Sequence, residues 1–507
     1  MPNTQPIQRI NTDSLSLDGS IEIYDVVIVG AGPIGLATAI GLRKCGIENI
    51  LVVDQTRAFR QVGQVLDLLP NGLKSLKHLD TQAYEAVKKA GMGFLNSPQS
   101  NSDKTQGEKP AKNSPEWVYK NLQGETIRSI PLGFDHWFQN YGEGRVSIAW
   151  YNLQTTLRNL IPEDRVKINH RCINVVDEPE NGCARIDCVS DQGTEANPYA
   201  YWADGQTVDH NQPQNLDPIS QQSVTKSFRA KLIVAADGIN STIRRVLYKD
   251  SPYSDSAQPE YSGYAAISCR EITEIPKKLQ TQLEEKFFQN SPIVTISNAA
   301  EISDSLDEIR MMLFRRPGML MGYILHLAVS LESLEGKSES SLLDLAMQQL
   351  EKAGYPDILQ ELVRLSPPAN MQQRPYYIHH ATISESKSQP TWSRGRVVLV
   401  GDAAHGMPPF MAQGVNQGFE DALAVTTLIT QIAETNKWDN GEAMGYAPPE
   451  AIATAFEKYE NLRRPMMKYI QEATLTRFPH SSDEAWHNYG EQVYHRNFDE
   501  IIAALSS

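Results

Sequence analysis

The stretch Val397–Ala422, VVLVGDAAHGMPPFMAQGVNQGFEDA, decides how the rest of the chain is read. Val397 to Val400 is a short apolar run, the pattern of a buried strand. Gly401 and Asp402 end it. A loop with Pro408, Pro409 and Gly414 follows, and a helical pattern begins by Asn416. A carboxylate at a strand end accepts hydrogen bonds from hydroxyls. A helix N-terminus offers unpaired N–H groups and partial positive charge to an electron-rich atom. Alone, this is an ordinary strand–turn–helix unit. Two further stretches give it meaning.

The first is near the N-terminus. Asp25 to Val29 (DVVIV) is short, continuous and β-branched, as a buried parallel strand is. GAGPIG follows, with Gly30, Gly32 and Gly35 in GxGxxG spacing, then an Ala/Leu/Ile-rich helix, Leu36 to Lys44. A second strand, Ile50 to Val53, ends at Asp54. Gly30 permits the tight turn, Gly32 lets a pyrophosphate approach the backbone, and Gly35 lets helix and strand pack closely. Asp54 is placed to accept ribose hydroxyls. The whole unit reads as a dinucleotide-binding turn. Arg60, in the loop after the second strand, is placed to reach a phosphate or the cofactor's ring. The second stretch is KLIVAADGINSTIRRVL. Leu232 to Ala236 is a buried strand ended by Asp237 and Gly238, and a helix with Arg244 and Arg245 follows. The chain thus carries three strands that stop at polar turns.

Composition narrows the class. The 507 residues are 40% hydrophobic and 21% charged, too long for one compact core, so two or three intertwined domains are expected. A net charge of -14 and a pI near 5.3 argue against nucleic-acid or anionic-membrane binding. The five cysteines form no CxxC pair, which speaks against a disulfide framework or a zinc site and suits a reducing cytoplasm. The N-terminus lacks the apolar core of a signal peptide. The longest apolar run, Val26 to Leu42, is interrupted by glycines and a proline near its start, as a nucleotide turn is and a membrane span is not. Pro98 to Glu116 and Asp191 to Ser227 read as polar surface insertions.

Between Ser262 and Ile383 the pattern changes. Runs at Tyr264–Cys269, Ile309–Phe314, Met319–Val329 and Tyr376–Ile383 alternate and are rich in aromatic residues and Met. They read as an antiparallel sheet with one face toward a pocket. A helical run, Ser341 to Leu365, lies among them. His379 and His380 are read as structural, because a strand histidine with no visible partner is rarely catalytic. After Ala422 the chain is helical.

GAGPIG, AADGINSTIRR and GDAAHGMPPFMAQGVNQGFEDA, in that order, resemble the group A FAD-dependent monooxygenases, the para-hydroxybenzoate-hydroxylase-like aromatic hydroxylases. The resemblance runs from about Tyr24 to Tyr469 and is weak in the middle. It implies an α/β fold: a Rossmann-like FAD-binding domain interleaved with an antiparallel-sheet substrate domain, then C-terminal helices. The expected division is a polar tail (1–22), FAD-binding parts at 23–95, 146–250 and 386–425, and a loop insertion with a substrate-side segment at 96–145. The substrate domain spans 251–385 and the C-terminal helices 426–507. Gly30, Gly32, Gly35 and Asp54 would hold the ADP half of non-covalent FAD. Asp237 and Gly238 match the motif associated with pyrophosphate handling, and Asp402 would bind the ribityl or ribose-side hydroxyls. Pro409, Gly414, Val415 and Asn416 would border the isoalloxazine ring. Tyr459 and Arg463 match a late Tyr-x-x-x-Arg helix.

Two positions depart from the pattern. Ala412 stands where the first glycine of the family's GxG lies, which leaves a backbone N–H but restricts ring movement. Trp150 stands where the family often has Arg or Gln. With only one GxGxxG unit in the chain, NAD(P)H is expected as a visiting co-substrate. The implied reaction is hydroxylation or epoxidation of a small organic, aromatic substrate by NAD(P)H and dioxygen through a flavin C4a-hydroperoxide. The alternatives are a flavin-dependent reductase or halogenase on the same fold, or a non-catalytic FAD-binding protein. The chain lacks the halogenase WxWxIP motif, and it singles out no catalytic acid or base and no metal site.

Overall fold

The computed structural model describes residues 22–56, 64–95, 115–190, 224–300, 308–316, 320–383, 389–438, 447–475 and 482–506. Arg60 lies outside these residues, as does most of each polar insertion.

The strands with the most continuous apolar runs sit at the centre of the first sheet. Its order is Ser393–Arg394, Val397–Leu399, Val224–Ala235, Ile23–Val29, Ile50–Val53 and Val166–Lys167. Val397–Leu399 through Val166–Lys167 are parallel neighbours. Strands buried on both faces need apolar residues at every position, which is why VVIV and ILVV do not alternate. Val26, Val27, Ile28, Leu51, Val52, Ile233 and Val398 are fully buried. Each such side chain contributes about 1.5–3 kcal/mol by leaving water.

Register matters more than composition for function. Val29 is the Cα partner of Val53 and of Ala235, and Ala235 is the partner of Leu399. The strands therefore stop in line, and Gly30, Asp54, Asp237 and Asp402 emerge from one edge of the sheet. Crevices at the carboxyl ends of parallel strands are where open α/β sheets bind ligands. The helices Pro33–Lys44 and Gly414–Thr435 pack together beside this edge, both largely buried.

The second sheet has the order Met371–Ile378, Glu260–Ile272, Leu320–Ala328, Ile309–Arg316, Ile293–Ser297, Glu116–Lys120 and Thr126–Pro131. It is antiparallel except between Ile293–Ser297 and Glu116–Lys120. One face is apolar. Ile267, Met311 and Leu325 join Leu345, Leu359 and Leu362 of the helices Glu339–Lys352 and Asp357–Arg364 in a separate core. Residues on the opposite face follow from the period of two. There Arg374 is the partner of Ala266, Ala266 of His326, and His326 of Arg310, a row across four strands.

Three elements differ from their sequence reading. The single helix expected over Ser341–Leu365 is two, because Gly354 turns at φ +71 and Pro356 caps the second helix. The strand expected at Tyr376–Ile383 lies at Met371–Ile378. After Ile378 the chain leaves the sheet, and the His379 N–H donates to Gly406 O at 2.9 Å. The strand expected from Leu232 begins at Val224, inside the segment read as a polar insertion, because Val224–Ala230 pairs with Cys183–Ser190. Phe228 and Ala230 are buried there among polar neighbours.

Candidate active site

The glycine turn explains itself by clearance. A Cβ on Gly30 (φ +111) would lie 2.3 Å from Ala236 O, and one on Gly35 would lie 2.0 Å from Gly30 O. Those glycines are demanded by the protein's own backbone. A Cβ on Gly32 would meet nothing within 4 Å. The protein does not require that glycine, and the space beside it is a cradle for a group that approaches the backbone closely. Gly32 precedes the helix starting at Pro33, so unpaired N–H groups face the same space.

Asp54 is buried, and its carboxylate holds the turn. Oδ2 accepts from the Ala31 N–H and Oδ1 from the Thr56 N–H, both at 2.6 Å. Gln154 Nε2 donates to Ala31 O at 2.7 Å from the helix Trp150–Arg158. The polar group that reaches the turn is thus one helical turn beyond Trp150, whose own N–H donates to Gln64 O. Gln154 was not singled out in the sequence. Its signal was a polar residue beside Leu153 on the buried side of a helix.

Asp237 caps the next helix. Its Oδ1 accepts from Ser241 Oγ at 2.6 Å and its Oδ2 from the Thr242 and Ile243 N–H groups at 2.8 and 3.2 Å. Burial pushes its carboxyl up, against these hydrogen bonds. Gly238 beside it has φ +77. From the helix Thr242–Tyr248, buried Arg244 donates to Ala403 O at 3.0 Å and Ala404 O at 2.9 Å. The second and third motifs are therefore bonded to each other.

Asp402 opens the short helix Asp402–His405 and is exposed, although protein surrounds it closely. Desolvation raises its carboxyl, while the charges of His405 and Arg374 pull it down. A Cβ on Gly414 would lie 3.8 Å from Asp402 Oδ1, so the helix starting at Gly414 begins beside this carboxylate. Behind it lies a buried network. Asp421 Oδ2 accepts from the Gly401 N–H at 2.8 Å and meets His405 Nε2 at 2.6 Å, and Oδ1 accepts from Arg463 Nε at 2.7 Å. Burial alone would push the Asp421 carboxyl up. His405 and Arg463 outweigh it and hold the group at about 2. Arg463 also donates to Glu420, and Tyr459 donates to Leu399 O at 3.2 Å. The late Tyr-x-x-x-Arg helix thus holds the end of the Val397–Leu399 strand.

The loop between these helices turns at Pro409–Met411, with Ala412 in the left-handed region at φ +53. The buried Asn416 side chain ties the loop down, accepting from the Leu69 N–H and donating to Asp67 O and Ala412 O. Its amide is occupied by protein, and Val415 is half-buried next to it. Phe410 reaches the second sheet, where it meets Tyr264, His326, Tyr376 and Arg310. His326 Nδ1 lies 3.1 Å from the Tyr376 hydroxyl. Burial, then the charges of Arg310 and Arg374, pushes the His326 imidazole down to about 3, so the ring is neutral.

His326, Arg310 and Arg374 were not read as site residues. Their signal was one face of the alternating strands, visible only once register aligns them. His379 is structural: it is buried and its Nε2 lies 2.8 Å from Ile239 O. His380 lies 3.3 Å from Glu260 at the surface. Among the described residues no cluster of His, Cys, Asp and Glu is suited to a metal.

The family model described as "FAD binding domain" matches residues 23–128 and 345–440. The 3-amino-4-hydroxybenzoate 2-monooxygenase of Streptomyces cremeus is 24% identical over 447 residues, 87% of this chain and 83% of that protein. The 6-hydroxynicotinate 3-monooxygenase of Bordetella bronchiseptica is 23% identical over 466 residues, 91% of each. Among solved structures, a salicylate hydroxylase substrate complex superposes with a TM-score of 0.59 at 16% identity, covering 96% of this chain and 98% of the other. An HpxO of Klebsiella pneumoniae complexed with FAD and uric acid superposes with a TM-score of 0.56 at 16% identity, covering 95% of each.

Proposed function

We propose that this chain, like the FAD-dependent aromatic monooxygenases it is similar to, uses NAD(P)H and dioxygen to insert one oxygen atom into a small hydroxylated aromatic acid, with FAD lying along the edge where the three motifs meet. The observation that carries this reading is the register that aligns Gly30, Asp237 and Asp402 at the ends of three adjacent parallel strands. The residues present suit the cofactor. The open space beside Gly32 accepts a pyrophosphate, Asp54 fixes the turn and keeps lone pairs for ribose hydroxyls, and Asp402 offers an exposed carboxylate to a polyol chain. The loop from Pro409 to Asn416 and the helix N-terminus at Gly414 border the ring.

Bound FAD, once reduced by the nicotinamide, supplies the oxygen chemistry. The chain's own residues bind, orient and exclude water. N–H groups at the start of Gly414–Thr435 favour negative charge. The aromatic face of the second sheet covers the cleft and keeps water from the reacting atoms. Arg310, held by Glu308 at 2.9 and 3.1 Å, and Arg374, beside Gln64, make that face cationic. A carboxylated or phenolic ring suits such a face. Two relatives are named for 3-amino-4-hydroxybenzoate and 6-hydroxynicotinate, both ring acids.

The division into an interleaved FAD-binding domain, a substrate domain over 251–385 and C-terminal helices belongs to the same proposal. So does a reducing cytoplasmic location, which the five free cysteines suit. Among the described residues no helix is long and apolar enough to cross a membrane. The test is purification followed by NADH- and NADPH-oxidation assays over a panel of ring acids, with product mass. Bound FAD released by denaturation, faster oxidation with one acid and a product heavier by one oxygen are expected. A protein that holds FAD but oxidises neither nicotinamide with any aromatic compound would be a binding protein instead.

A further inference from the structure

Three of the five cysteines lie on one pair of strands, and two of them face each other. Arg171–Glu178 and Cys183–Ser190 are antiparallel neighbours in the first sheet, and their register makes Cys172 the Cα partner of Cys188. Both are free and buried, Cys172 at 6% exposure and Cys188 at 0%. Directly opposed residues of an antiparallel pair have Cβ atoms about 4.5–5.5 Å apart, and a disulfide needs about 3.5–4.5 Å. Closure therefore asks the strands for a small movement only. The thiols themselves are in contact. Their mutual hydrogen bond, then burial, then the charges of Cys188 and Asp237, push the Cys172 thiol well up.

The movement is available locally. The register slips by one residue between Cys172 and Asn174, so Cys172 stands at a β-bulge. Its Sγ donates to Asn174 O at 3.4 Å, across that bulge. A disulfide sulfur has no hydrogen to donate. Oxidation therefore breaks this contact and frees the bulge to shift.

The place of the pair gives such a shift a consequence. Just before Cys172, the His170 N–H donates to Asp54 O and the Asn169 N–H to Thr56 O, both at 2.8 Å. The helix Thr242–Tyr248, which Asp237 caps, packs against the strand Arg171–Glu178. The two thiols thus lie between the first and second motifs.

We infer that Cys172 and Cys188 are a modification site, which hydrogen peroxide closes to a reversible cross-strand disulfide, and that closure weakens FAD binding. The second half of the inference rests on the FAD reading. Cys172, the less buried sulfur, attacks one peroxide oxygen. The O–O bond breaks, a sulfenic acid forms on Cys172, and a water leaves. The Cys188 sulfur then attacks the Cys172 sulfur. An S–S bond forms, the S–O bond breaks, and the Cys188 proton leaves in a second water. The two sulfurs give up two electrons, and the peroxide takes them. A buried, protonated thiol makes the first step slow. A partner at contact distance makes the second step fast. The wide cross-strand spacing leaves the disulfide strained and readily reduced, a switch rather than a staple. Cysteines that only fill the core would give no product, or an oxygenated acid on one sulfur.

The experiment treats FAD-loaded wild-type, Cys172→Ala and Cys188→Ala proteins with hydrogen peroxide. It reads intact mass, the masses of proteolytic peptides and FAD affinity from flavin fluorescence on dilution, before and after a thiol reductant. In the wild type three results are expected: loss of two hydrogens, peptides joined through Cys172 and Cys188, and at least fivefold weaker FAD binding, about 1 kcal/mol. Reductant should restore all three. Neither variant should lose the hydrogens or change its affinity. An absence of joined peptides in the wild type overturns the site, as does oxygen added to Cys45 or to one buried sulfur in their place. A disulfide that forms with FAD affinity unchanged overturns the coupling. The wild-type readouts stand even where a variant does not fold. A protein with no affinity for FAD removes the cofactor reading. Its peptide masses still report on the pair, so the two failures are told apart.

Discussion

At the scale of single residues, the glycine turn separates fold from function. Gly30 and Gly35 are pressed against backbone, whereas Gly32 faces open space. Gly32→Val is expected to leave the melting temperature of the FAD-free protein nearly unchanged and to weaken FAD binding at least tenfold, about 1.4 kcal/mol. Gly30→Ala is expected to destabilise the FAD-free protein itself, because a methyl 2.3 Å from Ala236 O forces backbone to move. Melts and fluorescence titrations of the FAD-free variants check both. Equal loss of stability in the two would remove the distinction. The glycine spacing was legible in the chain, and so was the acidic residue after the second strand. That Asp54 spends hydrogen bonds on Ala31 and Thr56 was not, since backbone amides leave no trace in side-chain identity.

Histidine titration belongs to this scale too. His379 is buried and pushed down to about 3, by desolvation first and then by the charge of Arg244. Its folded value lies below the ordinary 6.5, so between about pH 6.5 and 3 the unfolded chain binds more protons. Stability contributed by the neutral ring is therefore lost as pH falls through that window. By pH 5 the loss is about 2 kcal/mol for a fully shifted histidine. Urea midpoints at pH 7 and pH 5 should fall less in His379→Gln than in the wild type. An equal fall in both proteins would show that His379 does not carry the effect.

At the scale of elements, the buried network around Asp421 decides whether the third motif keeps its shape. One carboxylate holds the Gly401 N–H, His405 and Arg463, and so joins a strand end, a short helix and a C-terminal helix. Removing one partner strands the charge of the other in the core. Arg463→Met is expected to cost about 3–5 kcal/mol by chemical denaturation. FAD affinity should fall with it, because Gly401 precedes Asp402. A loss below about 1 kcal/mol would mean that the network relaxes around the gap. The elements themselves were largely readable. The strands ending at Val29, Ala235 and Leu399 declare themselves by unbroken apolar runs, and the helix after Gly414 by its pattern. The second sheet was less readable, because its strands carry a polar face. Tyr264, His326, Arg310 and Arg374 become one site only through register between segments up to 110 residues apart. The same applies to Arg463 and Asp421, joined across 42 positions.

At the scale of the whole molecule, two sheets divide the work. In the proposed reading the parallel sheet presents its strand ends to the cofactor, and the antiparallel sheet offers the substrate an aromatic, cationic face while it buries its other face on its own helices. The division explains why three motifs far apart in the chain were enough to indicate the fold, whereas the substrate side stayed silent in the sequence. The account's central claim is oxygen insertion, and labelled dioxygen tests it most directly. With the ring acid that most stimulates NAD(P)H oxidation, turnover under 18O2 should give a product carrying one labelled atom, with the other leaving as water. A product with no label from dioxygen would contradict the account and make the protein a reductase or dehydrogenase on the same fold.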